Sequence, residues 1–267
     1  MKNKNRIIGL ALLMTVVAAP GRAQQSDKLL TTLKTELKAN FEQLQKQRVK
    51  PYYMSYRADD IYKNVISSSF GSLSADDESR TRTVTPQIRL GDKQLDNFKY
   101  NSQGMPSRDG RSAATVTIPF EDDATAGITT NIWTATLSRY NYAVAAYEQA
   151  KSKAATTAAD EDKAPCFSPA PVEHYYEAPL DLNSLKLDKK AWEQRLNAVS
   201  AVFKADPSLK SGSASLDYAV SRCYFVNTDG TDVVQNRVSA RIMLQVSAVT
   251  DDGMTLPLYE GLLCLLT

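Results

Sequence analysis

The sequence contains few of the side chains that hold metal ions or act as general bases. There is one histidine in 267 residues, His174, and there are three cysteines, Cys166, Cys223 and Cys264. A zinc site on a helix needs two imidazoles about one turn apart, which one histidine cannot supply. The cysteines are too few and too scattered for a disulfide framework, although one bridge with a thiol left over stays open. We therefore assign no catalytic, cofactor-binding or metal-binding residue.

Long apolar runs are absent except near the N-terminus. Three basic residues precede an apolar run over residues 7–19, and Gly21 and Ala23 then supply the small side chains that a signal peptidase recognises. The run is shorter than the ~20 residues that a membrane helix needs. The pattern predicts a signal peptide over residues 1–23, cleaved after Ala23, and export to the periplasm or beyond. An uncleaved N-terminal anchor is the alternative.

A strong net charge is also missing. The formal charge is +2, and residues 1–23 carry four basic and no acidic side chains, so the charge of the cleaved chain is −2. A nucleic-acid-binding domain normally carries a clear positive excess, so we expect no nucleic-acid partner. After cleavage we expect no membrane contact either. The remaining chain is long enough to bury one large core or two small ones.

Hydrophobic periodicity predicts three helices. The first runs from Ser26 to Gln47 with Ser26 as its cap, the second from residue 124 to about 155, and the third from Asp188, its cap, to about residue 205. The buried face of the second helix is predicted to carry five large side chains. They are Trp133, Leu137, Tyr140, Val144 and Tyr147.

Alternating patterns predict antiparallel strands in two groups. The first group covers residues 52–59, 61–73 and 81–90, and polar breaks at 59–60 and 74–79 read as its turns. The second group is a hairpin over residues 214–226 and 233–249, turning at Asp229-Gly230, with a further strand at 254–259. Residues 91–121 read as a long surface loop with a short strand after residue 115.

These elements predict an α+β fold in which antiparallel meander sheets pack against amphipathic helices in two lobes. The first lobe is residues 24–163. A linker rich in proline covers residues 164–187, and the second lobe, a helix with a hairpin, is residues 188–267.

Four groups of acidic residues and three arginines are candidates for functional roles. Adjacent acids favour solvated turns over a catalytic pair, because an exposed turn does not separate two pKa values. These groups are residues 59–60, 76–78, 121–123 and 251–252. Arg80, Arg82 and Arg89 are expected on a solvated strand face, with a basic ligand-binding stripe as the alternative.

The other candidates favour structural roles. His174 lies among prolines and tyrosines without a second metal ligand, so we interpret it as a surface group. The run Ser67-Ser68-Ser69 has no nearby general base that could activate a nucleophile. Tyr52, Tyr53, Tyr56 and Tyr62 are expected to pack in strands, because a stacking platform for nucleic acid also needs a basic groove.

Several segments resemble the TldD/PmbA family, the metallopeptidase relatives once called modulators of DNA gyrase. The similarity begins with residues 51–57 (PYYMSYR) and 68–73 (SSFGSL), and is closest to the exported branch of the family at residues 89–92 (RLGD) and 95–97 (LDN). Residues 225–231 (FVNTDGT) resemble the family's Asn-Ser-x-Gly hairpin, with Thr228 in place of serine, and residues 237–254 continue the likeness. It covers roughly residues 28–259.

The resemblance implies a zinc peptidase whose His-Glu-x-x-x-His helix and later cysteine would follow residue 259. The sequence from Gly261 onward departs from the family, which we interpret as a premature stop or frameshift, with a short paralogue as the alternative. The resemblance then implies an N-terminal, non-catalytic portion without its own zinc. It also implies homo- or hetero-oligomers with TldD/PmbA-like subunits and contact with extended peptides. A non-enzymatic partner of a full-length relative is the second hypothesis.

Overall fold

The computed structural model describes residues 27–99, 115–156, 164–168 and 170–266. The predicted signal peptide, residues 1–23, lies outside these ranges. Within them, seven strands form one sheet and three α-helices pack against it, which confirms the predicted α+β class. No helix in this part of the chain is both long and apolar enough to cross a membrane.

The three helices lie close to their predicted positions. They are α1 (Lys28–Leu44), α2 (Thr125–Thr156) and α3 (Lys189–Ala201), and a short 3₁₀ helix, Val202–Ala205, follows α3. Asp188 caps α3 as predicted, because its side chain accepts a hydrogen bond from the amide of Ala191 at 3.1 Å. Asp27 caps α1, one residue after the predicted Ser26, and accepts from the amide of Leu30 at 3.0 Å.

The sheet is antiparallel except for one short strand. Its strands are β1 (Pro51–Ser69), β2 (Ser72–Leu90), β3 (Val116–Thr117), β4 (His174–Tyr176), β5 (Leu209–Asn227), β6 (Asp232–Val249) and β7 (Thr255–Leu266). The order across the sheet is β3-β2-β1-β5-β6-β4. The short β4 pairs in parallel with the start of β6, and β7 pairs antiparallel with the rest of β6.

The predicted turns at residues 59–60 and 74–79 are wrong. Residues 51–69 form a single strand, and the chain reverses at Phe70-Gly71 into β2. Both turn residues have positive φ, 46° and 79°, as a two-residue hairpin of the primed type requires. The second predicted hairpin is confirmed, with Gly230 at φ 105° between β5 and β6.

Strands from both predicted lobes share this one sheet. β1 pairs with β5 from Ser55 to Ser69, so the two parts are joined along 15 register positions. The predicted linker contributes β4. The division into residues 24–163, 164–187 and 188–267 stays a prediction.

The three helices cover one face of the sheet, which we call the helix face; the other is the open face. Two hydrophobic clusters fill the helix face. Cluster 1 joins α1 and α2 to the sheet through residues such as Leu33, Ile132 and Tyr56. Cluster 2 joins α3 to it through Leu196, Leu216 and others.

The predicted buried face of α2 is partly wrong. Trp133 and Leu137 are exposed, whereas Ile128 and Ile132 are fully buried and Tyr140 is buried as predicted. The helix therefore packs two isoleucines against the sheet and leaves its tryptophan exposed, while Val144 and Tyr147 are partly buried against cluster 1.

Candidate functional site

A row of charged and polar side chains crosses the helix face between the two clusters. It runs over four neighbouring strands through Arg82 on β2, Asp60 on β1, Arg222 on β5 and Asn236 on β6, each opposite the next in register. We call these four residues the charged row. They line a cavity of about 190 Å³. Its other walls include Leu180, Asp27 at the start of α1 and Asp122 in the loop before α2.

Arg82 is the most deeply buried cation of the row, with 6% of its side chain exposed. Its Nε donates to Asp60 at 2.9 Å, and its Nη1 donates to Asp122 and to the carbonyl of Phe120, both at 2.7 Å. Arg80 also donates to Asp60, from Nε at 3.0 Å and from Nη2 at 2.8 Å. The prediction that Arg82 is solvated is therefore wrong, and so is the placement of Asp60 in a turn.

The other end of the row holds the start of α1. Arg222 donates to Asp27 at 3.1 Å, to Asn236 at 2.8 Å and to the hydroxyl of Tyr224 at 2.9 Å. Burial and the nearby carboxylate of Asp27 raise the pKa of Tyr224 to about 12, so the phenol stays protonated. Because every cation of the row already has acidic or amide partners, the row fastens helices to the sheet.

Arg89 is also held inside the structure rather than in solvent. It donates to the fully buried Asp96 at 2.5 Å, and its guanidinium lies 4.3 Å from the ring centre of Phe98 and 4.4 Å from that of Phe167. Tyr52 donates a second hydrogen bond to Asp96 at 2.8 Å. This cluster holds two surface segments against one end of the open face. The alternative of a basic ligand-binding stripe has no geometric support, because all three predicted arginines are paired.

The other predicted acids have local roles. Asp76 and Glu78 lie within β2, not in a turn, and both accept from Lys189 at 3.0 Å. Asp252 lies in the turn before β7 as predicted and accepts from the hydroxyl of Thr250. Asp122, in the loop before α2, has the Arg82 contact described above.

His174, the one histidine of the sequence, does not fit a zinc site. Its Nδ1 lies 2.8 Å from one oxygen of Asp232, whose other oxygen binds Lys34. Burial raises the pKa of Asp232, but the hydrogen bonds from Lys34 and His174 outweigh it and hold the pKa below its usual value. A metal would have to displace the lysine. No three His, Cys, Asp or Glu side chains in the described ranges are grouped to hold a metal ion.

The candidate nucleophiles lack activating partners. Ser69 donates to the carbonyl of Gly212 at 2.8 Å, and the hydroxyl of Ser68 is buried. The three cysteines are free thiols. Burial, assisted by Asp59, raises the pKa of the Cys223 thiol to about 11, so it is not a thiolate at neutral pH.

The motifs that carry the family resemblance stabilise turns. Asn97 accepts from the amide of Leu90 at 2.8 Å, and Asp92 accepts from the amides of Gln94 and Leu95. A Cβ on Gly91 would lie 2.4 Å from the carbonyl oxygen of Leu95. Thr228 accepts from the amide of Met54 at 3.1 Å and so fastens the β5–β6 turn to β1.

β7 is a long strand with one free edge in the described part of the sheet. β7 pairs with β6 on one side, and no strand of the described ranges pairs with the other. Its large side chains are exposed on both faces of the sheet, with Leu258 at 67%, Tyr259 at 70% and Leu262 at 63%. A long, exposed, apolar edge strand offers unpaired backbone groups to another chain. The predicted strand at residues 254–259 is confirmed, but β7 continues to Leu266, so the prediction missed the length of the edge.

Pro257 indicates which backbone groups of β7 point outward. Proline has no N–H, so within a sheet it occurs where that group would face away from the neighbouring strand. Residues two apart point the same way. The N–H groups of Tyr259, Gly261, Leu263 and Leu265 are therefore expected to face the free edge. We take this stretch, together with the exposed leucines, as the candidate docking site.

A scan against protein-family models found no match, and neither did a search of curated protein sequences. Three solved structures are similar. TldE from Thermococcus kodakarensis shares 10% identity over 87% of this chain and 42% of its own, with a TM-score of 0.45. A protein of Bacteroides thetaiotaomicron, named as a proposed modulator of DNA gyrase, shares 8% identity over 89% of this chain and 45% of its own, with a TM-score of 0.48.

The third structure, from Thermotoga maritima and named for the same proposed role, shares 12% identity over 85% of this chain and 42% of its own, with a TM-score of 0.39. The chain spans less than half the length of each of these proteins. The names of these solved structures, TldE and proposed modulators of DNA gyrase, are those of the TldD/PmbA family that the sequence resembles.

Proposed function

We propose that this chain is the N-terminal, non-catalytic portion of a TldD/PmbA-like metallopeptidase and that it binds an extended polypeptide along β7. The observation that carries the proposal is the unpaired edge of β7, apolar on both faces. An added strand gains main-chain hydrogen bonds along the edge and contacts for its alternate side chains, the mode called β-augmentation. The family motifs add support, because they hold the turns of the sheet that presents this edge.

The non-catalytic part of the proposal rests on side chains. The sequence has one histidine, and the structure commits its Nδ1 to Asp232. Peptide hydrolysis by a zinc-bound water needs a set of protein ligands that leaves one position open. The described residues supply no such set. Within an assembly, chemistry would therefore come from residues other than these.

A subunit is the second candidate occupant of the same edge. A full-length TldD/PmbA-like relative, or another copy of this chain, could extend the sheet by one strand at β7. The exposure of both faces of β7 favours this reading, since a folded partner covers both faces whereas a short peptide covers less. A peptide and a subunit would pair with the same backbone groups of β7, so a peptide-binding experiment tests the pairing for both.

The test uses a fluorescein-labelled ten-residue peptide of alternating valine and threonine. We expect its fluorescence anisotropy to rise on addition of the purified chain. A matched peptide that carries an N-methyl group on every second residue cannot pair along an edge, so we expect it to bind at least about tenfold more weakly. Equal binding of the two peptides would contradict the proposal.

Two protein variants test whether the peptide binds at the free edge of β7. Leu263→Pro removes an N–H that is expected to face outward while it leaves the pairing with β6 intact. Leu263→Ala removes a similar amount of side chain and keeps that N–H. We expect the proline variant to lose peptide binding and the alanine variant to retain most of it.

A further inference from the structure

Two arginines next to the free edge have no acidic partner in the described part of the chain. Arg237 and Arg241 lie on β6, both exposed on the open face. The acid opposite Arg241 in register is Asp217, which binds Lys63 at 2.8 Å. The open face beside β7 is therefore positively charged, while other basic side chains of that face, such as Arg57, pair with acids.

β7, which lies between Arg241 and the free edge, leaves room for the Arg241 side chain. On β7, Gly261 stands opposite Met243, and a Cβ at Gly261 would meet no atom closer than 3.7 Å. Leu263 stands opposite Arg241, and Gly261 lies diagonally beside it on the same face, so the Arg241 side chain can pass next to Leu263 over the gap at Gly261. The next strand would lie only about 4.8 Å beyond β7, within the reach of such a side chain.

The helix face beside the edge is mainly apolar. Leu256, Leu258 and Leu262 point to the helix face of β7, with Glu260 between the last two. Ile242, opposite Leu262, and Leu244, opposite Glu260, belong to the margin of cluster 2. No helix covers these leucines in the described residues, and all three are exposed. An added strand would extend this apolar surface with every second side chain.

We propose that the segment that docks on β7 alternates acidic and apolar residues, with the acidic side chains on the open face near Arg237 and Arg241. This inference rests on the proposed function, because it assumes pairing at the same edge. It adds a selection rule: one face of the docked strand is chosen by charge and the other by burial. Alternation in a strand places these two kinds of side chain on opposite faces.

The test compares two labelled ten-residue peptides, one of alternating valine and glutamate and one of alternating valine and lysine. We expect the purified chain to bind the glutamate peptide about tenfold more tightly, and this preference to shrink with added salt because the charges are exposed. The double variant Arg237→Glu/Arg241→Glu should reverse the preference. The matched control is Lys190→Glu, a charge reversal on α3, on the other side of the sheet.

The outcomes separate this inference from the function beneath it. If the neutral valine–threonine peptide binds but the charged peptides bind equally, the docking function stands and the charge rule is wrong. If no peptide binds, the docking function fails as well. Pelleting of the chain with vesicles of anionic phosphatidylglycerol, lost in the double variant and without glutamate-peptide binding, would replace the polypeptide by a lipid surface and overturn the proposal.

Discussion

At the scale of single residues, the charged row explains why local patterns misplaced the buried ions. Arg82 is two positions from Val84 on β2, and Asp60 is two positions from Ala58 on β1. Strand alternation alone therefore places Arg82 and Asp60 on the same face as these buried apolar residues. The usual exposure of arginine and aspartate outweighed that signal. What the sequence could not supply is the partner, because Asp60 lies 22 positions from Arg82 and Asp122 lies 40 positions from it.

Removal of Arg82 should be far more costly than removal of its neighbour. Arg82→Ala leaves the mostly buried Asp60 with a single cation and the carbonyl of Phe120 without its donor, so we expect a loss of about 3–5 kcal/mol in the free energy of unfolding. Arg80→Ala is the matched control. Arg80 binds the same aspartate but has 41% of its side chain exposed, and its loss should cost about 1 kcal/mol or less. Urea denaturation measures both, and similar losses would argue against the buried role of Arg82.

At the scale of elements, the helices were predictable and the first hairpin was not. Helix limits followed from periodicity and from cap residues, which are local signals: Asp188 was predicted as a cap, whereas Asp27 caps α1 one residue after the predicted Ser26. Acidic residues at 59–60 resembled a turn, yet β1 continues through them because arginines of β1 and β2 neutralise both carboxylates. The real turn, Phe70-Gly71, lacks the Asn-Gly or Asp-Gly signature, so its positive φ at a phenylalanine could not be read from the sequence.

The turn between β1 and β2 should tolerate substitution less well than the turn before β7. Gly71 has φ 79°, and a Cβ there would lie 3.0 Å from the Cβ of Ala201 at the end of α3. We expect Gly71→Ala to cost about 1–3 kcal/mol of stability. Gly253 has φ 85° but no atom within 4 Å of its Cβ position, so Gly253→Ala should cost roughly 1 kcal/mol. Urea unfolding midpoints compare the two, and a larger effect at Gly253 would refute this packing argument.

At the scale of the whole molecule, the α+β class could be predicted from the sequence, whereas the single sheet could not. Strand pairing between β1 and β5 joins residues that are 144 (Ser69 and Ser213) to 172 positions apart (Ser55 and Asn227), and no local pattern records such pairing. The docking edge was partly readable, since an apolar strand near residue 256 was predicted. Its length and its unpaired side depend on which strands neighbour it.

The whole chain is expected to hydrolyse no peptide by itself. Purified chain incubated with zinc and a fluorogenic peptide mixture should give no cleavage above the buffer rate, because no suitable ligand set is present in the described residues. A full-length family member with its histidine motif serves as the positive control. Hydrolysis that a chelator abolishes would sink the non-catalytic assignment.

The charged row also limits how a core substitution in one hydrophobic cluster affects the packing of the other. Cluster 1 and cluster 2 lie on one sheet, yet Arg82, Asp60, Arg222 and Asn236 stand between them. A cavity created by truncating a side chain in one cluster is therefore not filled by side chains from the other cluster, since paired ionic side chains lie between the two.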